Sequence, residues 1–340
     1  MLILGIETSC DETSVALVED GKKILVNLVA TQIDLHRQFG GVVPEVASRA
    51  HLRVLAPLVR EALERTGAEK ESVSAIAYTI GPGLIGSLLV GVSLAKALAY
   101  SWSVPAIGVN HLKAHLYAPI LAGEEFEFPL VGLIVSGGHT LLVSARSWDE
   151  AEIVGSTRDD AAGEAFDKVA ALLGLGFPGG PAVDRAAREG DSERFDLPRG
   201  MIRSGDLDFS FSGVKTAVRY LVERLKADGE EIPAADIAAG FQRAAVDVLV
   251  AKLTAAAGAV SPRTVVIGGG VAGNSELRRR VSEAPELSSA RVLIAPLALC
   301  SDNAAMIAGL AGRQLERGGE LTTGLAADDD PNLPWTPALL

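Results

Sequence analysis

Apolar residues fall along this chain in short runs separated by small or glycine-rich turns, and the same series of runs occurs twice. Residues 2–8 read as a buried strand, followed by a polar turn and a second strand from Ser14 to Glu19. Leu130 to Val135 repeats that opening and runs through Ser136-Gly137-Gly138-His139 into a strand from Thr140 to Ser144. Each is a hairpin around a small turn. The later part of each unit matches too. Ala75 to Ile80 predicts a strand, after which Gly81-Pro82-Gly83-Leu84-Ile85-Gly86 opens a helix. Thr264 to Ile267 predicts another, after which Gly268-Gly269-Gly270-Val271-Ala272-Gly273 does the same. A further strand follows each time, Ala106 to Val109 and Arg291 to Ala295. The first leads into a helix carrying His111 and His115, the second into one beginning Ser301-Asp302-Asn303, so Asp302 is the counterpart of the histidines. Between hairpin and glycine loop the second copy is longer. Residues 150–260 there predict helices at Asp160 to Leu173, Phe211 to Leu225 and Ala234 to Ala257. The stretch from Gly174 to Pro181 is too glycine-rich to predict helix and suits close approach of backbone to a ligand.

A pattern written twice predicts two similar α/β lobes about a pseudo-twofold axis, with equivalent loops meeting at a shared cleft. The length of 340 residues also exceeds one small core. The expected division is residues 1–110 as a first lobe, completed by a C-terminal helix at about 303–340, and 111–302 as a second lobe with the helical insertion. Hydrophobic residues at 48% and charged ones at 22% describe an ordered chain. Cys10 and Cys300 stand alone with no CxxC pair, which argues against a disulfide framework or cysteine-rich zinc site and suits a reducing cytosol. No basic segment with an apolar core opens the chain, so no secretory leader is expected. Ser72 to Ala95 carries no charge, but Gly81-Pro82-Gly83 breaks it, and buried core rather than a membrane span is expected. The formal charge of −12 disfavours unaided binding to a phosphate backbone. A nucleic-acid partner would need a local basic patch, for which Arg278-Arg279-Arg280 and the run Arg199 to Arg203 are candidates.

The histidine pair changes the picture most. Residues four apart share a helix face, so both imidazoles reach a single metal ion. Asp302, brought across the cleft, would make a third ligand, and three protein ligands with an open position describe a catalytic metal. Mixed nitrogen and oxygen donors suit iron or zinc, and magnesium less. Leu112 follows His111 where a zinc peptidase needs a glutamate base. Both glycine loops satisfy GxGxxG, yet neither strand that follows ends in the acid a dinucleotide fold requires. They offer free N–H groups to a phosphate or nucleoside, or simply tight strand-to-helix packing. Ser136 to His139 presents amides, a hydroxyl and an imidazole that suit a phosphate or carboxylate, or form an ordinary hairpin. Glu7, Asp11 and Glu12 crowd one turn, as a base, as orienters of metal-bound water, or as solvated turn residues. Asp167 and Asp184 are of the kind that holds sugar hydroxyls, although capping and solvation explain such acids equally well.

Taken together, these segments resemble the tRNA threonylcarbamoyladenosine transferase family (TsaD/Kae/Gcp), once assigned as metallopeptidases. The resemblance runs through Gly5-Ile6-Glu7-Thr8-Ser9-Cys10-Asp11-Glu12-Thr13, Gly40-Gly41-Val42-Val43-Pro44-Glu45, Ser136 to Thr140, Asp160 to Lys168 and Phe209-Ser210-Phe211-Ser212-Gly213. It implies a duplicated actin-like, sugar-kinase and heat-shock ATPase (ASKHA) α/β fold, its two lobes around a nucleotide-binding cleft. It also implies transfer of a threonylcarbamoyl group from threonylcarbamoyl-AMP to N6 of the adenosine 3′ of the anticodon, in tRNAs reading codons that begin with A. By that resemblance His111, His115 and Asp302 bind the metal, and Val135, Ser136, Gly137, Gly138 and His139 line the phosphate and acyl part. Asp167, Gly180 and Asp184 hold the ribose, Asn274 sits near the nucleotide, and Asp11 is the candidate base. Expected partners are tRNA, an inactive paralogue of the same fold as heterodimer partner, and a small ATPase; a cytoplasmic location without membrane is expected. Lys113 departs from the acidic residue common at that position. The alternative readings are a small-molecule kinase or ATPase of the same superfamily and, less favoured, a metallopeptidase.

Overall fold

Both copies of the pattern fold into five-stranded mixed sheets of the same connectivity. The computed structural model describes residues 1–318, 325 and 328–337. It divides into a first unit, Met1–Glu125 with Ser301–Leu340, and a second, Phe126–Cys300.

In the first unit β1 (Leu2–Glu7), β2 (Glu12–Glu19) and β3 (Lys23–Thr31) form an antiparallel meander. The short α1 (Ile33–Arg37) and long α2 (Pro44–Thr66) follow. Then β4 (Val73–Gly81), α3 (Ile85–Trp102), β5 (Ala106–Asn110) and α4 (His111–Tyr117) complete it, with β4 and β5 parallel to β1 in the order β3-β2-β1-β4-β5. Strand β1 reads as a continuous apolar run because both its faces are covered. Alternate residues Leu4 and Ile6 join Leu55, Val59 and Val92 of α2 and α3 in one core.

The second unit contains β6 (Leu130–Val135), β7 (Thr140–Ala145) and β8 (Ala151–Ser156). Four helices follow, α5 (Ala162–Leu172), α6 (Gly179–Ala187), α7 (Ser212–Ala227) and α8 (Ala234–Val260). It closes with β9 (Thr264–Gly268), α9 (Ser275–Ser282) and β10 (Arg291–Ile294), giving the order β10-β9-β6-β7-β8. The chain then returns to the first unit as α10 (Ala304–Arg317). This helix lies on the other face of β1, where a Cβ on Gly5 would strike the Ala304 carbonyl and come within 2.9 Å of Ala308 Cβ. Ser14 Oγ accepts the Ala304 N–H at 2.9 Å, tying the helix start to β2.

Three expectations need revision. The division falls after Glu125 and Cys300, because α4 packs on α10 and stays with the first sheet. The C-terminal helix does not run to 340. It stops at Gly318, whose φ of 65° ends it in a left-handed cap. Residues 328–337 are non-helical, whereas 319–324, 326, 327 and 338–340 lie outside the described residues. Finally, the glycine-rich stretch from Gly174 to Pro181 is helical from Gly179 onward. Proline is tolerated in a first turn, where its missing N–H would have no helical partner.

Helix α3 is long and apolar enough to cross a bilayer by composition alone. Its Ser87, Leu88, Gly91, Val92, Ala95 and Ala99 are instead buried in the unit, while Ile85 and Leu89 are exposed, as is Leu52 of α2, the helix that packs on α3.

Candidate metal centre

The side chain of Asn110 accepts the N–H groups of Leu112 and Lys113 at 3.0 and 3.2 Å and so caps α4. That start fixes His111 in the first turn and His115 one turn later, with ring centroids 4.6 Å apart and rings nearly perpendicular. Asn303 caps α10 in the same way through the Met306 N–H at 3.1 Å, and leaves Asp302 just ahead of that helix. Because α4 and α10 pack together, the three side chains converge. His115 Nε2 is 3.2 Å from His111 Nε2 and 3.2 Å from Asp302 Oδ1, and His111 Nε2 is 3.5 Å from Asp302 Oδ1. Three ligands about 2.0–2.2 Å from one ion at tetrahedral angles stand about 3.3–3.6 Å apart, so the set fits a divalent ion. The meeting occurs inside the first unit rather than across two lobes, because α10 belongs to the first sheet.

Behind the pair lies Glu7, fully buried at the end of β1. It accepts the Ser9 N–H and the Thr79 hydroxyl, each at 2.5 Å, and His111 Nδ1–H at 3.0 Å. A carboxylate taking the Nδ1 proton leaves Nε2 as the donor toward an ion, the support that metal-binding histidines use. Burial opposes charge on His111, yet Asp302 and Glu7 outweigh it and push the imidazole up to about 9. Burial likewise opposes charge on Glu7, but His111 holds the carboxyl below its usual range. The sites thus favour positive charge even before an ion is considered.

The β1–β2 turn holds Cys10 and Asp11 and leads into Glu12, the first residue of β2. Burial raises the Cys10 thiol well above its ordinary value, as it raises Cys300, so neither offers a thiolate. Burial also raises Asp11. Burial, aided by neighbouring Asp11, pushes Glu12 up to about 7, and its buried Oε2 has no hydrogen-bond partner. With the folded value above the ordinary 4.5, the fold binds this proton more tightly than the unfolded chain does. That contribution is full at acid pH and is lost as pH rises through about 7. Glu12→Gln is therefore expected to match the parent at pH 4 and to gain up to about 3 kcal/mol above pH 7. Urea unfolding at the two pH values checks it.

In the second unit Ser136 to His139 forms the β6–β7 turn, with Gly137 and Gly138 exposed and Ser136 N–H bonded to the His139 carbonyl at 2.8 Å. Val135 is buried, and Gly269, at φ 93°, lies so close that a Cβ there would strike the Val135 carbonyl. Asp167 Oδ1 accepts the Gly179 N–H at 2.7 Å, fixing the start of α6 and with it Gly180. Asp184 accepts the Ser275 N–H at 3.2 Å and its hydroxyl at 2.7 Å, and pairs with Arg188 at 2.9 Å. Asn274 caps α9 through Leu277 N–H at 2.9 Å and donates to Gln242 at 2.7 Å. The family resemblance, more than the chain pattern, pointed to these positions, and neither pointed to Gln242, Ser275 or Thr79, which act as supports and carry no spacing signal. Three arginines of the two patches are paired with carboxylates. Arg199 and Arg280 pair with Asp247, Arg279 pairs with Glu276 and Glu283, and Arg278 donates to the Ala272 and Ala295 carbonyls.

Compared with known proteins, the chain matches the family model TsaD, tRNA N6-adenosine threonylcarbamoyltransferase, over residues 23–309. A protein of that name from Thermosipho africanus is 48% identical over 333 residues, 98% of this chain and 99% of the relative. Another, from Symbiobacterium thermophilum, is 52% identical over 318 residues, 94% and 92% of the two chains. Among solved structures, Acidaminococcus fermentans (R)-2-hydroxyglutaryl-CoA dehydratase component A aligns with a TM-score of 0.56 at 15% identity, covering 93% of this chain and 99% of that one. At that identity the likeness concerns the fold, which is the duplicated ASKHA α/β class.

Proposed function

Since the chain belongs to the TsaD family of tRNA N6-adenosine threonylcarbamoyltransferases, we propose that His111, His115 and Asp302 hold one divalent iron or zinc ion that serves this transfer. The enzyme moves a threonylcarbamoyl group onto N6 of adenosine in tRNA. One observation carries the metal reading: two imidazoles and a carboxylate from opposite ends of the chain stand at ligand spacing. Imidazole donors favour iron or zinc over magnesium. When bound, the ion supplies positive charge against a phosphate oxygen of the donor.

The donor is threonylcarbamoyl-AMP, and the acceptor is the adenosine 3′ of the anticodon in tRNAs reading codons that begin with A. The donor is a mixed anhydride, so the N6 amine can attack its carbamoyl carbon directly; an N–C bond forms, the C–O bond to phosphate breaks, and AMP leaves. No serine or cysteine nucleophile is needed, which agrees with two raised thiols. The amine is weakly nucleophilic because its lone pair is delocalised into the ring. It gains most from being held near the carbon and from giving up its proton to a base, for which Asp11 is the candidate. Val135 to His139 cradle the phosphate and acyl part, the exposed Gly137 and Gly138 letting a ligand approach backbone. Asp167, Gly180 and Asp184 hold the ribose and Asn274 the nucleotide.

A charge of −12 and paired arginines favour partners that complete the tRNA surface. These are an inactive paralogue of the same fold and a small ATPase, and the exposed Leu52, Ile85 and Leu89 support a protein partner. The location is cytoplasmic, without membrane. The test is to combine the chain and partners with threonylcarbamoyl-AMP and unmodified tRNA, and to assay nucleosides by mass spectrometry. Modified adenosine is expected, lost after chelation and restored by iron or zinc. Full activity in verified metal-free protein would remove the ion from the mechanism.

A further inference from the structure

Helix α4 has only seven residues, too few to hold its own orientation, and its setting must come from contacts. One face carries His111 and His115. Lys113, two positions from each, points from the opposite side and is only 5% exposed. Its ammonium donates to Thr336 Oγ1 at 2.5 Å and lies 5.5 Å from the centre of the Trp335 ring. Both residues belong to the segment that follows α10, and that segment is anchored along the first unit. Asp330 N–H donates to the Ile80 carbonyl at 2.9 Å, and the Pro331 carbonyl accepts Gly83 N–H at 3.2 Å. Leu333 packs on the core, and Asp328 pairs with Lys96 at 3.6 Å. Gly81, at φ 155°, lies so close that a Cβ would strike the Asp330 carbonyl. The segment thus spans from the first glycine loop to the back of the histidine helix.

We propose that residues 330–336 form a clasp that holds the Lys113 ammonium on the far side of α4 from the ligands, so that metal affinity depends on a segment supplying no ligand. The inference rests on the metal assignment above. A buried ammonium near two ligands repels a cation unless it is held on the far side of the helix, and Trp335 with Thr336 holds it there. The clasp therefore acts through one side chain and one effect: it keeps a like charge away from the ion.

The full chain is titrated with zinc against a chromophoric chelator. Trp335→Ala is expected to bind zinc about tenfold more weakly, the lower range for residues that support ligands. Lys113→Met, which keeps the stem and removes the charge, is expected to bind at least as tightly as the parent. In that background Trp335→Ala is expected to cost nothing further. A merely structural tryptophan would cost the same factor in both backgrounds, and that result overturns the clasp, as does unchanged affinity in the single variant. If Trp335→Ala fails to fold, Thr336→Val replaces it, with a loss of up to about tenfold expected in the parent and none beside Lys113→Met. His111→Ala should lose zinc altogether. A parent chain that takes up no zinc overturns the ligand assignment, and the clasp with it.

Discussion

Asp302→Ala is expected to abolish formation of threonylcarbamoyladenosine while leaving the chain folded. Asp302 supplies the one carboxylate among the three converging groups, and its side chain is 20% exposed, so its loss opens no large cavity. The cap of α10 is the neighbouring Asn303, which the substitution spares. What disappears is negative charge at a point 3.2 Å and 3.5 Å from two imidazole nitrogens. Two neutral nitrogens hold a divalent ion far less well than two nitrogens and an anion. We expect a fall in turnover of about a thousandfold or more, the scale of losing an electrostatic centre from an acyl transfer. Nucleoside mass spectrometry gives the rate, and elemental analysis gives the metal content. His111→Ala should behave alike. Modification at the parent rate in both variants would sink the metal reading.

Glu7→Gln is expected to weaken metal binding by about tenfold to a hundredfold without touching a ligand. The carboxylate accepts from Ser9, Thr79 and His111 with no exposure to water. An amide of the same size can present its NH2 group to Nδ1, which moves the ring proton to Nε2, where a ligand lone pair is needed. Removing the charge also withdraws part of what raises His111 to about 9, so its titration should move down. Chelator competition and proton resonance of the imidazole read the two effects separately. Equal affinity in the variant would show that Glu7 is a structural carboxylate only.

How far the chain could be read in advance follows from which physical signals are local. Strands β1, β6 and β9 were legible because they are runs of buried β-formers between turn residues. The spacing of His111 and His115 was legible because a helix puts such residues on one face. Strand β3 was not: only Leu28 within it is buried, and an edge strand carries little apolar signal. The helical start at Gly179 was hidden because its support, Asp167, lies twelve positions away on α5. The membership of Asp302 in the first unit depends on α10 packing against β1 and β2, a contact between distant parts of the chain. The role of Glu7 was one of three open readings. The buried bond to His111 at the end of β1 separates it from Asp11 in the turn and Glu12 at the start of β2, whose carboxyls are raised.

The return of α10 to the first sheet has a consequence for synthesis on the ribosome. The strands that begin the first unit emerge first, yet the helix that covers one face of β1, and the carboxylate ahead of it, emerge only after the whole second unit. Domains made in one piece can fold as they appear, but this one has to wait. A nascent or prematurely terminated product lacking residues beyond Cys300 therefore has neither the helix that covers the second face of the first sheet nor a third ligand, and ion capture becomes a mark of chains translated past that point.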